Sequence, residues 1–328
     1  MVHSTLLKLK LSMYSVIALV VSISTLVLAT IFFALSPSAD FNVIVWGSLI
    51  FIVIVHIIQW LLGPKIIEAM YRVKPASAEF SWVSEMVRDV ARRSGLKELP
   101  KAMIADVDVP NAFAYGNIFS GYKVAVTKSL INNLPREEVE AVIAHEVGHI
   151  KHRDVEVMMA ISILPAIIYW LGQVLLRYGF ISGALGDRRN GRNSPVLLAT
   201  LGLGLLAISY LFNLFVLYLS RLREYYSDSH AATTISGGAL KLQRALARIM
   251  VVSESFRRTR PSGLSQISKF KALLISDPEL VVSGRRFSNI DEVVEYIKSV
   301  KTWSALEIFS THPDPAKRLR FLDRFKNI

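Results

Sequence analysis

The chain has 328 residues, a formal net charge of +12 and no cysteine. The absence of cysteine excludes disulfides and cysteine-ligated zinc, so any metal must be held by histidine or carboxylate side chains. Hydrophobic residues make up 52% of the chain and charged residues 20%, a mixture that favours long apolar segments beside a water-soluble part. The positive charge of such a chain favours anionic lipid headgroups as partners over nucleic acid, because the basic residues form no recognised nucleic-acid motif with interleaved aromatics.

Long apolar segments without charged residues predict membrane-spanning helices, which need about 20 such residues. Four segments meet that length: 11–39, 41–64, 157–176 and 193–220. We therefore expect an N-terminal transmembrane hairpin over residues 1–64 and a second one over 157–220. Pro165 and several glycines lie in the second pair, and packed membrane helices tolerate such residues. A long buried hairpin in a soluble core is the alternative for this pair.

The orientation in the membrane follows from the basic residues beside the first hairpin. They are Lys8 and Lys10 before it, and Lys65, Arg72 and Lys74 after it. By the positive-inside rule, the N-terminus and the residues from 65 onward face the cytoplasm, which predicts a multi-pass protein of the plasma membrane. The loop 177–192 disagrees, because its four arginines would lie outside if both later spans cross fully.

Outside the membrane, segments 65–156 and 221–328 are together large enough to bury one core. The patterns predict helices over 77–93, 239–252 and 290–300, and strands over 102–107 and 122–127. The turn-rich stretch 110–116 is expected to continue as an edge strand. Pro135, followed by two acids, predicts the start of another helix.

That helix carries His145-Glu146-Val147-Gly148-His149, an H-E-x-x-H motif. Residues four apart lie on one helix face, about 6 Å apart along the axis, so the two imidazoles can converge on one zinc ion. Glu146 borders that face and can accept the proton of a water molecule at the metal. The alternative is a helix with two surface histidines and a solvated glutamate.

A catalytic zinc site needs a third protein ligand and one position left for water. His152 does not qualify, because seven residues of straight helix place it about 10.5 Å from His145. The metzincin pattern would require a glycine at 152 and a histidine at 155, and the chain has His152 and Val155 there.

The segment after the fourth apolar run offers better candidates. Glu224 and Asp228 are four residues apart and share a face if the segment is helical. One carboxylate would bind zinc, and the other would accept the free N–H of a zinc-bound histidine. A solvated acidic turn is the alternative, and His230 is expected to be structural.

H-E-x-x-H followed much later by E-x-x-x-D-x-x-A-A resembles the gluzincin peptidases of the HtpX type, which are membrane-bound heat-shock metalloproteases. The resemblance covers most of the chain and includes the Asn111-Ala112 region and Ser310-Thr311-His312-Pro313. It implies a mainly α integral membrane protein, with four transmembrane helices and a cytoplasmic α+β gluzincin domain formed by 65–156 and 221–328.

The same resemblance implies a zinc endopeptidase that acts on unfolded or membrane proteins in quality control. It assigns one Zn²⁺ per chain to His145, His149 and Glu224, with Glu146 as the catalytic base. The supporting residues that it implies are Asp228 and Arg318 beside the ligands, His312 at the catalytic centre, and Asn111 and Ala112 on a strand lining the substrate cleft. Two alternatives are a CAAX-type prenyl protease, which has more than four spans, and a non-catalytic membrane scaffold with a zinc site.

Overall fold

The structure, a computed structural model, describes residues 60–184, 195–259, 287–301 and 305–327, together with residues 50, 54, 57 and 58. The first predicted span, 11–39, and most of the second, 41–64, lie outside the described residues. The described chain forms two compact units. The first comprises the described parts of Leu61–Glu156 and Ser220–Ile328, and the second includes those of Val157–Leu219.

Helices predominate over strands in the described chain. Residues 60–70 form α1. In chain order there follow β1 (Val73–Pro75), α2 (Ser81–Arg93), β2 (Lys101–Ala105), β3 (Ala112–Asn117), β4 (Gly121–Thr127), α3 (Lys128–Asn133), α4 (Arg136–Lys151), α5 (Asp154–Ala184), α6 (Pro195–Thr234), α7 (Gly238–Thr259), α8 (Ile290–Ser299) and α9 (Pro315–Leu322).

The strands of the first unit form one sheet with the order β1-β2-β4-β3. β2 and β4 run parallel, and the two outer pairings are antiparallel. The strands predicted over 102–107 and 122–127 correspond to β2 and β4. The turn-rich stretch after Pro110 becomes β3, which lies at an edge of the sheet in the described part of the chain.

Helix α4 lies at the centre of the first unit. It packs against α2, α7 and β3. Its apolar side chains, including Val139, Val142 and Ile143, are completely buried. The helix begins at Arg136, with Pro135 in the preceding capping position rather than at the first helical residue. Because α4 is covered on several sides, the motif that it carries is held in a closely packed environment.

The second unit contains a helical hairpin formed by the apolar parts of α5 and α6. Both helices are long and apolar enough to cross a membrane, over Asp154–Phe180 and Pro195–Thr234. They correspond to the segments predicted at 157–176 and 193–220. Helix α6 does not end at 220, and it continues without interruption through the acidic segment to Thr234.

Glycine permits close contact between the two helices of this hairpin. A Cβ atom on Gly202 would lie 2.5 Å from the backbone nitrogen of Leu176 and 2.7 Å from the carbonyl oxygen of Gly172. Small residues with this role are typical of membrane helix interfaces. A Cβ atom on Gly204, two residues further along the same helix, would meet no other atom within 4 Å.

We predict that Gly202→Ala destabilises the hairpin, because its methyl group would collide with backbone atoms that can move only if the helices separate. The expected loss is about 1–3 kcal/mol, as for other overpacked sites. Thermal unfolding of the detergent-solubilised protein measures it. Gly204→Ala is the matched control and should match or slightly exceed the wild-type melting temperature, because alanine favours a helix more than glycine does; equal behaviour of the two variants would contradict the close packing.

Candidate metal centre

The two histidines of the motif and Glu224 converge at one point. The Nε2 atoms of His145 and His149 are 3.1 Å apart. The Glu224 carboxylate lies 3.6 Å from His145 Nε2 and 3.5 Å from His149 Nε2. Among the described residues, these three form a possible metal site, and their candidate ligand atoms all lie within 4.8 Å of one another.

This donor set fits a zinc ion. A tetrahedral site with bonds of about 2.0–2.1 Å places its ligand atoms about 3.3 Å apart, close to the spacing observed here. Burial alone lowers the pKa of His145, but hydrogen bonds to Asp228 and Glu224 outweigh it and raise this pKa to about 9. The surrounding carboxylates therefore stabilise positive charge at the point where the ligand atoms meet.

His145 is oriented by a buried carboxylate and an arginine. Its Nδ1 atom lies 3.0 Å from Asp228 Oδ1. Arg318 donates from Nε and Nη2 to the two oxygens of Asp228, at 2.9 and 2.6 Å. All three side chains are almost fully buried. A carboxylate facing Nδ1 leaves Nε2 free to bind a metal, which is how carboxylates fix the orientation of ligating histidines.

His149 has the same kind of support from a different carboxylate. Its Nδ1 atom lies 2.6 Å from Asp154 Oδ2. The other oxygen of Asp154 pairs with Arg223, which also donates to the backbone carbonyl of His152 at 3.0 Å. Neither Asp154 nor Arg223 was predicted from the sequence. The available signal was an acid five residues after His149, just past the end of α4, and an arginine directly before Glu224.

Gly148 brings the two ligand-bearing helices together. A Cβ atom there would lie 3.2 Å from Ser227 Oγ and 3.2 Å from the side chain of His230, both on α6. Because α4 has no side chain at this position, α6 approaches closely enough for Glu224 to reach the two imidazoles. His230 itself lies 2.9 Å from Ser94 Oγ, in agreement with the structural role expected for it.

Glu146 is buried beside the ligands, and one of its oxygens accepts a hydrogen bond of 2.8 Å from the backbone N–H of Ala114 in β3. Burial raises its pKa above that of an ordinary glutamate, while the neighbouring His149 and His145 act in the opposite direction. A carboxylate whose pKa is raised towards neutrality is better matched to accepting and returning a proton.

Strand β3 forms an edge of the described sheet next to Glu146. The N–H and carbonyl groups of Asn111 bond to Thr127 at the start of the ladder, so they face β4. By the alternation of an antiparallel ladder, the backbone groups of Ala112 and Ala114 face away from β4. Asn111 and Ala112 are almost fully buried, at 3% and 1% exposure, whereas Ala114 is partly exposed.

His312 and Arg318 lie beside Glu224. His312 Nδ1 is 3.3 Å from Glu224 Oε2, and Arg318 Nη1 is 3.2 Å from the same oxygen. His152, which spacing excluded as a ligand, lies outside the cluster. Its ring packs against Tyr226 and His230, with centroid distances of 4.1 and 5.4 Å.

Comparison with known proteins agrees with this geometry. Residues 77–326 match the model of peptidase family M48. The chain belongs to peptidase family M48. The match includes both helices that carry the ligand cluster and the segment that carries Arg318, so it covers the whole candidate centre.

Relatives within this family are HtpX-type proteases. A protease HtpX homolog from Aeropyrum pernix is 41% identical over 268 residues, which cover 82% of each chain. Protease HtpX homolog 2 of Saccharolobus solfataricus is 40% identical over 291 residues, 87% of this chain and 88% of the relative. This M48 member is accordingly a membrane-bound metalloprotease of the HtpX type.

A solved structure supports the fold. The crystal structure of S. mikatae Ste24p aligns with a TM-score of 0.53 at 19% sequence identity, covering 94% of this chain and 66% of that one. This chain and Ste24p therefore share a mostly helical architecture with a small sheet.

The contact between Asp154 and His149 generates a prediction. Asp154→Asn should weaken zinc affinity about 10–100-fold, because a neutral amide orients the His149 ring less strongly through Nδ1 than a carboxylate does. The three proposed ligands are unchanged in this variant. Competition with a chelator of known affinity measures the change. Asp291→Asn is the control, since Asp291 forms a similar two-bond pair with Arg244 at the surface. Unchanged zinc affinity in Asp154→Asn would show that the contact does not support the ligand.

Proposed function

We propose that the chain is a zinc endopeptidase that hydrolyses peptide bonds in misfolded or membrane proteins as part of quality control. His145, His149 and Glu224 hold the zinc ion, and Glu146 is the general base. The convergence of two Nε2 atoms and one carboxylate, at distances close to those of a tetrahedral site, carries the proposal. The resemblance to HtpX-type heat-shock metalloproteases supports the quality-control role.

Bound zinc supplies polarisation of the scissile carbonyl and lowers the pKa of water to about 7. Glu146 accepts the proton of the attacking water and then donates it to the leaving amine, so no covalent intermediate with the chain is needed. The raised pKa of Glu146 suits both transfers. Asp228 and Asp154 hold the two imidazoles in the tautomer that leaves each Nε2 available.

Two further contacts assist the reaction. His312 lies close enough to Glu224 to present an N–H donor to the charge that develops on the carbonyl oxygen. The edge strand β3, with Asn111 and Ala112, lines the substrate cleft, and its partly exposed portion at Ala114 faces an extended substrate chain. Such a contact favours unfolded segments, because folded proteins rarely expose a free extended backbone.

Four transmembrane helices anchor the enzyme in the plasma membrane, with residues 65–156 and 221–328 in the cytoplasm. Support comes from the basic flanks of the first hairpin and from the two apolar helices of the second unit. The HtpX-type relatives favour this proposal over a CAAX-type prenyl protease. The buried, hydrogen-bonded Glu146 favours an enzyme over a scaffold, since a purely structural zinc site needs no such carboxylate.

Glu146→Gln should abolish cleavage of an unfolded, casein-like substrate while zinc stays bound. The amide keeps the shape of the side chain but cannot accept a proton. Turnover and metal content are measured on the same preparation, so loss of activity is separated from loss of zinc. Near-normal turnover would falsify the general-base role.

Topology can be tested through the absence of cysteine. Single cysteines at Ser38 and at the exposed Ser77 should react with a membrane-impermeant reagent from opposite faces of the membrane. Each variant is labelled in sealed vesicles of known orientation, before and after permeabilisation. Reaction of both positions from the same face would rule out the first hairpin.

A further inference from the structure

The turn between β3 and β4 exposes two large apolar side chains. Ile118 is 62% exposed and Phe119 is 73% exposed. Both lie in the segment 117–121, which we call the hairpin tip. Large apolar side chains are stabilised by removal from water, so the exposure of these two is unfavourable.

The hairpin tip is held in one conformation by its own hydrogen bonds. The Asn117 side-chain oxygen accepts from the backbone N–H groups of Phe119 and Ser120, at 3.0 and 2.8 Å. Gly121 has a φ of +71°, a conformation that side-chain-bearing residues rarely adopt. The two apolar side chains are thus presented outward by a built turn.

Strands β3 and β4 form a β-hairpin. The end of this β-hairpin that carries the tip contacts residues that flank two apolar runs. Glu68, four residues after the run 41–64, accepts a hydrogen bond of 3.2 Å from Tyr115 and pairs with Lys123 at 2.5 Å. Glu156, directly before the run 157–176, accepts a hydrogen bond from Tyr122. These contacts all lie within the first unit.

These contacts orient the β3–β4 hairpin. Tyr122 and Lys123 lie within two residues of the tip, whereas the opposite end of β4, at Thr127, leads into α3. Residues next to a membrane-spanning run lie at the membrane surface. Under the proposed topology the tip end of the hairpin is therefore the end next to that surface, and α3 follows at the other end of β4, about 20 Å along the strand.

We propose that Ile118 and Phe119 insert into the headgroup region of the bilayer and anchor the substrate-binding edge of β3 there. An aliphatic and an aromatic side chain, flanked by tyrosine and lysine, match the residues that proteins place at the membrane interface. The net charge of +12 favours the same contact with anionic lipid.

The anchor explains how the site receives its substrate, a consequence that rests on the proposed function. Ala114, whose N–H contacts Glu146, precedes Ile118 by four residues, or about 13 Å of extended chain. A polypeptide segment leaving the bilayer would thus reach the catalytic base after a few residues. The lipid contact itself requires neither zinc nor catalysis.

The test uses full-length single-cysteine variants in phosphatidylcholine–phosphatidylglycerol vesicles. A nitroxide label is attached at residue 118 or 119, and at the exposed Asn132 in α3 as the control. Collisions with oxygen, which concentrates in lipid, are compared with collisions with a water-soluble nickel chelate. The ratio of oxygen to nickel collisions at 118 and 119 should be several-fold above that at 132.

Equal ratios at the tip and at residue 132 would overturn the proposal. Shielding of the tip only after an unfolded polypeptide is added would also overturn it, and would assign the tip to substrate binding. The melting curve of each labelled variant, compared with that of the unlabelled chain, confirms that the fold is retained. A failure of the proposed peptidase activity leaves this readout unchanged, so the two proposals are tested separately.

Discussion

The pairing of two buried carboxylates, Asp228 and Asp154, constrains how the neighbouring helices pack around α4, which carries the H-E-x-x-H motif. A buried charge without a partner costs several kcal/mol, so each carboxylate must be paired on both sides. Asp228 lies between His145 and Arg318, and Asp154 lies between His149 and Arg223. Satisfying these pairs requires α4, α6, α9 and the start of α5 to meet at one place. Replacing Arg318 would therefore leave a charged group buried without its partner, which explains why so long a side chain is buried here.

Helix α6 carries both a long apolar run and part of the candidate metal centre. It runs without a break from Pro195 to Thr234, so Glu224 and Asp228 belong to the same helix as an apolar run long enough to span a bilayer. Close contact at Gly148 then brings that helix onto α4. In the proposed site, Glu224 therefore lies on the extension of an apolar helix that is long enough to span a bilayer.

Much of the site could be predicted from spacing. The i, i+4 pattern of His145 and His149 places both imidazoles on one face, and the same pattern relates Glu224 to Asp228. Spacing alone left open which acid would bind the metal, because the answer depends on how α6 is rotated against α4. Asp154 and Arg223 were missed for a related reason. Asp154 contacts His149 across the end of α4, and it pairs with Arg223 on α6, which is 69 residues further along the chain. No periodicity links such positions. The sheet order was equally hidden, since a parallel pairing of β2 with β4 leaves no local signal.

Zinc content per chain in Glu224→Ala, compared with His152→Ala, tests the central claim most directly. Glu224 completes the donor set, whereas His152 packs against Tyr226 and His230 away from it. Each variant is purified in detergent, dialysed against a weak chelator and analysed for metal, with a melting curve to confirm folding. We predict that Glu224→Ala loses its zinc while His152→Ala retains about one ion per chain, as expected for a single catalytic site. Retained zinc in Glu224→Ala together with lost zinc in His152→Ala would contradict this assignment.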